Sequence, residues 1–227
     1  MKKNFVIALG GSIAFPKEID VGFLKKLKVF LIEEIKKGNK FIIIIGGGAV
    51  CREYNKMASL ISDVSDVDKD WIGIKTTRLN AEFLRAIFKS YAHPLVLDQR
   101  MKVKSFEDYS LILGCGWEPG HSTDFIAVQT ALDFNIDNII IMGKPDYVYT
   151  KDPEKDKTAE KIEKMTWADY LKLIPKEWIP GFSSPVDVTA SLLAKENNLK
   201  VIVCNGDLDN FKNILQGRDF KGTTIVN

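Results

Sequence analysis

The stretch FIIIIGGGAVCREY, residues 41–54, decides the fold. Its first five residues are apolar and mostly β-branched, as in a parallel strand that is covered on both faces. Three glycines (Gly46, Gly47 and Gly48) interrupt the run, and the chain from Ala49 onwards continues with helical spacing. The segment therefore predicts a buried strand, a tight turn and a helix, which is the repeating unit of an α/β protein.

The same alternation runs along the rest of the chain. It predicts an α/β fold, a three-layer αβα sandwich around a mostly parallel sheet. We expect one domain over residues 1–227, with a soft division near Asp98 into lobes of residues 1–98 and 99–227. The polar segment 149–164 predicts a charged loop or hairpin. Further strands are expected at Asn4–Leu9, Leu95–Leu97, Leu111–Gly114, Asn138–Met142, Val201–Cys204 and Thr223–Val226, and helices at Val21–Lys37, Thr77–Ser90, Asp124–Phe134, Trp167–Leu173, Asp187–Asn197 and Asp209–Leu215.

Composition excludes several classes of protein. The 32 basic and 30 acidic side chains nearly cancel and gather into no basic stripe, which argues against a nucleic-acid partner. No apolar run approaches the roughly 18–20 residues that span a bilayer, and the opening MKKNFVIALGGS has too short an apolar part for a signal peptide. We therefore expect no membrane association. Three scattered cysteines, Cys51, Cys115 and Cys204, predict neither a disulfide framework nor a zinc site, and a catalytic thiol at Cys115 lacks an identifiable partner.

Three glycine-rich turns each follow a predicted strand: GGS at residues 10–12, GGG at residues 46–48 and GWEPGHSTD at residues 116–124. In a parallel sheet such turns leave the same carboxyl edge, where ligands usually bind. Glycine lets backbone N–H groups approach a ligand closely, and a helix that begins just afterwards favours an anion. Each turn by itself is equally explained as a tight turn, but the three together favour a phosphate site. The chain lacks GxxxxGK[ST], GxGxxG and the protein-kinase motifs HRD and DFG.

Five stretches taken in order resemble the amino acid kinase family and, within it, the archaeal type of uridylate (UMP) kinases: IALGGS, IIIIGGGAVCREY, DWIGIKTTRLNAEFL, GWEPGHSTD and DYVYTKDPEKDKTAEKI. The resemblance covers nearly the whole chain. GGG with a nearby arginine is shared across the family, whereas xPGHSTD combined with WIGIxxTRxNA is narrower. The resemblance implies a cytoplasmic, Mg²⁺-dependent enzyme that transfers the γ-phosphoryl group of ATP to UMP, giving UDP and ADP in pyrimidine nucleotide biosynthesis.

The resemblance also implies which residues hold ATP. Gly11 and Ser12 would cradle its phosphates, and Tyr149 would lie along the adenine. Arg52, Asp124 and Lys144 are the implied catalytic residues, with Arg52 and Lys144 neutralising charge on the phosphoryl oxygens. The implied ATP contacts are Gly11, Ser12, Gly48, Arg52, Gly143, Tyr149 and Asp152.

The acceptor side is implied in the same way. Asp70 would bind the ribose, because an acceptor-only carboxylate suits two vicinal hydroxyls. Asp124 would either N-cap the following helix or help to organise Mg²⁺ and the reacting phosphates. No residue is assigned as the ligand of a protein-held metal, and without the motifs Asp70 and Arg52 are solvated residues. The implied UMP contacts are Gly47, Asp70, Trp117, Glu118, Pro119, Gly120, His121, Ser122 and Thr123.

The chain departs from the family pattern at three positions. Ala8 stands where many members have a lysine, Gly143 where a threonine is usual, and Tyr147 where a glycine is usual. Two alternatives therefore stay open: another acceptor within the family (isopentenyl phosphate, carbamate or an amino-acid carboxylate), and a nucleotide-binding sensor or storage protein without turnover. The resemblance further implies a homo-oligomer, a hexamer built as a trimer of dimers, that assembles through helices of the first lobe.

Overall fold

Apart from β7, the strands of the main sheet are short apolar runs, and each of these begins close to its predicted position. The computed structural model describes residues 2–177 and 184–227. The main sheet contains β1 (Asn4–Leu9), β2 (Lys40–Ile45), β3 (Leu111–Gly114), β4 (Ile139–Met142), β7 (Lys164–Thr166), β8 (Val201–Cys204) and β9 (Thr223–Val226), and β5 (Val148–Tyr149) pairs with β6 (Lys161–Ile162) in a separate antiparallel hairpin.

Helices alternate with these strands. Asp20 begins α2 by accepting a hydrogen bond from the Phe23 amide at 2.8 Å, and Gly38 lies just beyond its end with a φ of +95°. The helices are α1 (Gly11–Ala14), α2 (Val21–Lys36), α3 (Gly48–Ile61), α4 (Asp66–Ile87), α5 (Thr123–Asp133), α6 (Trp167–Leu173), α7 (Val188–Glu196) and α8 (Leu208–Gln216).

The sheet has seven strands in the order β3-β2-β1-β4-β8-β9-β7. The first five of these strands run parallel to one another, and β9 is antiparallel to β8. Alternate residues of β1 face two separate cores: Phe5 and Ile7 pack with α2, α4 and α8, whereas Val6 and Ala8 pack with α5, α6 and α7. This arrangement confirms the predicted three-layer αβα fold. The organisation as one domain with a division near Asp98 stays a prediction.

Two predicted elements were wrong. Leu95–Leu97 forms only one isolated bridge to β3, at Leu97, because Pro94 has no N–H to donate and the Leu95 amide bonds instead to the His93 ring at 3.1 Å. The helix expected at Thr77–Ser90 begins much earlier, at Asp66. Ser65 caps it by accepting from the Asp68 amide at 3.1 Å, and the acidic side chains that made the segment resemble a solvated loop favour the first turn of a helix.

The polar segment 149–164 contains the β5–β6 hairpin, as predicted. The short strand β7, which follows at once, was not predicted, because three residues with the sequence KMT carry no clear period. In the part of the chain that the structure describes, no helix is long and apolar enough to cross a bilayer.

Candidate active site

The five parallel strands end at the same level of the sheet. Leu9 pairs with Ile45 on one side and with Met142 on the other, and Met142 pairs in turn with Cys204. On the other side, Ile44 pairs with Gly114. The turns that follow these strands therefore emerge side by side at one carboxyl edge, as the sequence predicted for the glycine-rich stretches.

Glycines 11, 46 and 48 bring two of these turns into direct backbone contact. A Cβ on Gly11 would lie 2.2 Å from the Gly48 nitrogen, and a Cβ on Gly46 would lie 2.6 Å from the Gly11 nitrogen. Gly48 also has a φ of +71°, which disfavours any side chain. These positions need glycine to bring the first and second turns together, whatever ligand lies beyond them.

Helix α4 holds the loop of residues 116–124, which we call the 116–124 loop. A carboxylate oxygen of Asp70 accepts a hydrogen bond from the Gly120 amide at 2.7 Å. Two helical turns later, the Thr77 hydroxyl accepts from the Gly116 amide at 3.1 Å and donates to the Ile74 carbonyl at 2.8 Å. Asp70 and the loop, which were predicted to share the acceptor, are thus joined directly, although Asp70 is 50 residues away in the chain.

At the end of the 116–124 loop, Ser122 begins helix α5. Its hydroxyl oxygen accepts from the amides of Asp124 at 3.0 Å and Phe125 at 3.1 Å, so the N-cap is Ser122 and the N-cap alternative for Asp124 is wrong. The Ser122 hydroxyl also donates to a carboxylate oxygen of Asp187, which is 7% exposed. Burial, together with the adjacent Asp187, holds the pKa of Asp124 well above its usual range.

The other oxygen of Asp187 caps helix α7. It accepts from the Thr189 amide at 2.8 Å, the Thr189 hydroxyl at 2.6 Å and the Ala190 amide at 3.0 Å. One carboxylate therefore fixes the starts of two helices, α5 and α7, at the same edge of the sheet.

The remaining side chains of the 116–124 loop differ in how firmly they are held. The His121 ring stacks on Phe125 with centroids 4.1 Å apart, and its Nε2 lies 3.6 Å from the exposed Glu118 carboxylate. The Nδ1 of His121 is buried without a partner in the described part of the chain. Trp117, Pro119 and Thr123 are half-buried, and Gly120 takes a φ of +82° with open space around it.

The predicted ATP residues after β4 lie along a polar segment. The Gly143 amide donates to the Cys204 carbonyl at 2.9 Å, which fixes the turn to the end of β8. The Tyr149 hydroxyl donates to Asp146 at 2.7 Å, and this bond raises the pKa of Tyr149 to about 12. Tyr147 is buried, with its ring centroid 6.4 Å from that of Tyr149.

Four other predicted residues point to solvent or have local partners only. Arg52, at the start of the second turn of α3, and Lys144 are exposed and make no ion pair with the residues that the structure describes. Ser12 is half-buried in α1. Asp152 lies exposed in the hairpin connection, 3.1 Å from the Lys155 ammonium. A free cation at the start of α3 remains available for an anionic ligand.

Cys115 is fully buried, and burial raises its pKa to about 12. A thiol in this state is not a nucleophile at neutral pH, so the residue contributes packing at the end of β3. All three cysteines are free, as expected, although Cys51 is only half-buried.

Sequence reasoning missed three residues that shape this edge: Thr77, Asn80 and Asp187. Thr77 and Asn80 belong to the stretch WIGIKTTRLNA, which was noted as a pattern without roles for its members. Their spacing of three places both on one face of α4, and buried polar side chains on a helix face are a usable signal. In the sequence, Asp187 predicts only the start of a helix, because an aspartate at this position is an ordinary N-cap residue.

Comparison with known proteins fits this geometry. The model of the amino acid kinase family matches residues 3–100 and 111–205. The chain belongs to the amino acid kinase family. Among similar members of that family, the uridylate kinase of Methanococcus vannielii is 34% identical over 235 residues, covering 98% of this chain and 99% of the relative. The uridylate kinase of Methanocaldococcus jannaschii is 33% identical, covering 94% and 96%. The crystal structure of uridylate kinase from Archaeoglobus fulgidus superimposes with a TM-score of 0.84 at 28% identity and covers 100% of both chains.

Proposed function

We propose that this member of the amino acid kinase family transfers the γ-phosphoryl group of ATP to UMP, giving UDP and ADP. The uridylate kinases to which it is similar match it over nearly their full length. The model of the amino acid kinase family matches residues 3–100 and 111–205, which include all three glycine-rich turns at the carboxyl edge of the sheet.

The hydrogen bond between Asp70 and the Gly120 amide, at 2.7 Å, carries the proposal. It brings a carboxylate against a loop that contains free backbone groups, the Ser122 hydroxyl and an aromatic pair. Asp70 has a second oxygen for the two ribose hydroxyls of a nucleotide, and the loop offers hydrogen-bonding groups to a base and a phosphate. An amino-acid or isoprenoid acceptor has no such hydroxyl pair.

ATP would lie on the other side of the glycine contact. Gly11 and Gly48 line the meeting point of the two turns, and the segment from Gly143 to Tyr149 follows the neighbouring strand β4. The Tyr149 ring would stack on adenine, and the exposed Arg52 and Lys144 would neutralise phosphoryl oxygens.

The transfer needs little acid–base chemistry. A phosphate oxygen of UMP attacks the γ-phosphorus of ATP, a new P–O bond forms, and the bond to the β–γ bridging oxygen breaks to release ADP. The attacking oxygen is already anionic, so no base has to remove a proton. Positioning and neutralisation of charge carry most of the rate, which matches a site rich in backbone amides and cations.

Magnesium fits the carboxylates at this edge. Mg²⁺ in phosphoryl-transfer sites is usually held by one or two carboxylates together with substrate phosphates. Asp124 is such a carboxylate, whereas both oxygens of the neighbouring Asp187 already accept hydrogen bonds, and residues 2–177 and 184–227 contain no group of three or more metal-binding side chains. Asp124 would hold the ion directly or through water, and the ion would screen charge on the transferring group.

Assembly through the first half of the chain is part of the proposal. Helices α3 and α4 expose apolar side chains, with Tyr54 at 64%, Leu60 at 72%, Ile61 at 85% and Leu79 at 67%. Exposure on this scale marks an interaction surface, and association through it would give the homo-oligomer that the resemblance implies. Light scattering of the purified protein tests this point: six chains per particle is the expected mass, and a monomer would contradict it.

The decisive experiment counts ADP. The purified protein is incubated with Mg²⁺ and ATP and, separately, with UMP, CMP, dTMP, isopentenyl phosphate or glutamate. Rapid ADP formation with UMP, and slow formation with the other acceptors, is the expected result. Product analysis should give UDP and ADP in equal amounts.

Other outcomes would identify the alternatives. Turnover with isopentenyl phosphate or glutamate would mean that the protein is a kinase of the same family with a different acceptor. Binding of ATP or UMP without turnover of any acceptor would support the sensor or storage protein, and would direct attention to Ala8, Gly143 and Tyr147.

A further inference from the structure

Asn80 on helix α4 is a buried polar residue, 8% exposed, that contacts the second glycine turn. Its side-chain NH2 group donates to the Gly46 carbonyl at 2.9 Å and to the Gly47 carbonyl at 3.3 Å, across 34 residues of sequence. A carboxamide has two donor hydrogens on one nitrogen, so a single side chain can hold both carbonyls. The pair of carbonyl partners also fixes which end of the carboxamide is the nitrogen.

The two held carbonyls determine where the next two amides point. In a trans peptide the C=O and the N–H of one plane point in opposite directions. Asn80 holds the Gly46 carbonyl towards α4, so the Gly47 N–H of the same peptide plane faces away from α4. Asn80 also holds the Gly47 carbonyl towards α4, so the Gly48 N–H faces away from α4 as well. Both amides therefore face away from α4, on the side where Gly11 of the first turn lies close to the Gly48 nitrogen.

Backbone conformation makes a concave site of these amides. Gly47 has φ −75° and ψ −26°, in the right-handed region, and Gly48 has a φ of +71°, in the left-handed region. Successive residues of these two kinds form a nest whose N–H groups converge on an anion.

The neighbouring amides are already used. The Gly46 amide donates to the Leu9 carbonyl at 3.0 Å, and the Ala49 amide donates to the Phe15 carbonyl at 2.9 Å. Within the described part of the chain the amides of Gly47 and Gly48 have no acceptor. Two free amides thus lie between two occupied ones.

Three consecutive glycines cannot hold such a nest by themselves. Glycine populates positive and negative φ about equally, so the turn has several conformations of similar energy. The bonded amides of Gly46 and Ala49 anchor the two ends of the turn, and Asn80 contacts the two peptide planes between them. Its amide is rigidly placed, because it projects from a helix of 22 residues whose face is buried at Ala81 and Leu84.

We propose that Asn80 is a positioning residue that orients the Gly47 and Gly48 amides towards the phosphoryl group in transfer. This inference rests on the proposed function, since it assigns the nest to that group. Amides aimed at developing charge lower the barrier only when they are held before the reaction starts. Asn80 acts through the glycine backbone and does not touch the substrate.

The test compares Asn80→Ala and Asn80→Asp with the wild-type enzyme. Either change should lower kcat for UMP by about 10- to 100-fold, the usual effect of losing a supporting contact. The KM values for UMP and ATP should change by less than about threefold, because the amides gain most of their strength in the transition state.

The pH profile of Asn80→Asp gives a second readout that a purely structural role would not produce. The introduced carboxyl group has the shape of the carboxamide but donates a hydrogen bond only when it is protonated. The kcat of this variant relative to wild type should therefore rise as the pH falls, whereas the ratio for Asn80→Ala should stay flat.

Asn210 provides a matched control. It lies on α8 and is equally buried, at 6% exposed, and its carboxamide bonds to the carbonyl and amide of Lys221, each at 2.7 Å, with no contact to a glycine turn. Asn210→Ala should lower the melting temperature at least as much as Asn80→Ala and leave kcat within about twofold of wild type.

The outcomes separate this inference from the proposed function. If wild-type protein forms no ADP in the presence of UMP, the proposed function itself is wrong. An active wild type, with kcat unchanged in a folded Asn80→Ala or Asn80→Asp variant, would overturn the inference alone. Amide NMR supplies a readout that is independent of turnover: a non-hydrolysable ATP analogue should shift the Gly47 and Gly48 signals in wild type, and equal shifts in Asn80→Asp would also overturn it.

Discussion

The hydroxyl of Ser122 donates a hydrogen bond to Asp187, a residue 65 positions further along the chain. Ser122 also caps α5, and Asp187 caps α7, so a single contact couples the starts of two helices on one face of the sheet. The 116–124 loop ends at this contact. The position of the loop therefore depends on the second half of the chain as well as on α4.

Ser122→Ala should destabilise the protein by about 1–3 kcal/mol. The change removes an N-cap and leaves one oxygen of the buried Asp187 carboxylate without its donor. The melting temperature should fall by about 2–4 °C for each kcal/mol. Ser122→Thr retains the hydroxyl and should recover most of the loss.

Ser65→Ala serves as the control for this prediction. Ser65 caps α4 through the Asp68 amide at 3.1 Å and bonds only to exposed partners. Its loss should cost about 1 kcal/mol, the usual value for a cap. Equal losses in the two variants would mean that the contact with Asp187 adds nothing to stability.

Asp124→Asn should stabilise the protein at neutral pH while it lowers activity. The folded state raises the pKa of Asp124, so the folded protein binds this proton more tightly than the unfolded chain does. The stabilisation by the proton is complete below the unfolded pKa of about 4 and is lost as the pH rises towards the folded pKa. At pH 7.5 the variant should melt about 2–4 °C higher than wild type.

Melting curves from pH 7.5 down to pH 4.5 check this sign. The advantage of Asp124→Asn should shrink as the pH falls, because wild type regains its proton. Asp137→Asn, a change at an exposed acidic residue, should show no such trend. A variant that melts below wild type at pH 7.5 would contradict the account.

Asp70→Asn should weaken the binding of UMP and leave the binding of ATP unchanged. The substituted side chain can still accept from the Gly120 amide, so the 116–124 loop keeps its place. It loses the negative charge that strengthens hydrogen bonds to ribose hydroxyls, which is worth about tenfold or more in KM. The KM for ATP should stay within about twofold, and the melting temperature should change little.

Asp68→Asn, with an exposed carboxylate less than one turn away, is the matched control and should leave both KM values unchanged. Steady-state kinetics with each nucleotide varied in turn gives the comparison. An equal loss for both nucleotides in Asp70→Asn would contradict a role at the ribose.

Much of the fold followed from the sequence because the strands are apolar runs with no competing interpretation. FIIII and NFVIAL lie inside the sheet, each between two other strands, where burial on both faces favours continuously apolar runs. The start of α4 could not be predicted, because SDVSDVDKD has the composition of a loop. In the structure, the N-cap at Ser65 and two acidic residues in the first turn stabilise the start of the helix there.

The site followed only in part. Glycine turns and the GHSTD stretch are visible in sequence, whereas the contacts that align them join residues 33 to 65 positions apart. Asn80, Thr77 and Asp187 are ordinary polar residues in the primary structure. Their role depends on the backbone groups and side chains to which they hydrogen-bond at the edge of the sheet. These partners are far away in the sequence, so no local sequence pattern predicts them.

Arg52→Ala should lower kcat for UMP without loss of stability. Arg52 is exposed at the start of the second turn of α3 and has no acidic partner among the described residues, so its removal breaks no ion pair within that part of the protein. A guanidinium placed beside a transferring phosphoryl group is worth about 10²- to 10³-fold in rate, by analogy with other preorganised donors.

Lys56→Ala, one turn further along the same exposed face, should leave kcat unchanged. Arg52→Lys should recover only part of the rate, because an ammonium cannot make the paired hydrogen bonds of the guanidinium. Rapid-quench measurement of a single turnover checks this step directly, and a normal rate in Arg52→Ala would remove Arg52 from the reaction and leave the charge on the phosphoryl oxygens to Lys144, the glycine amides and the metal ion.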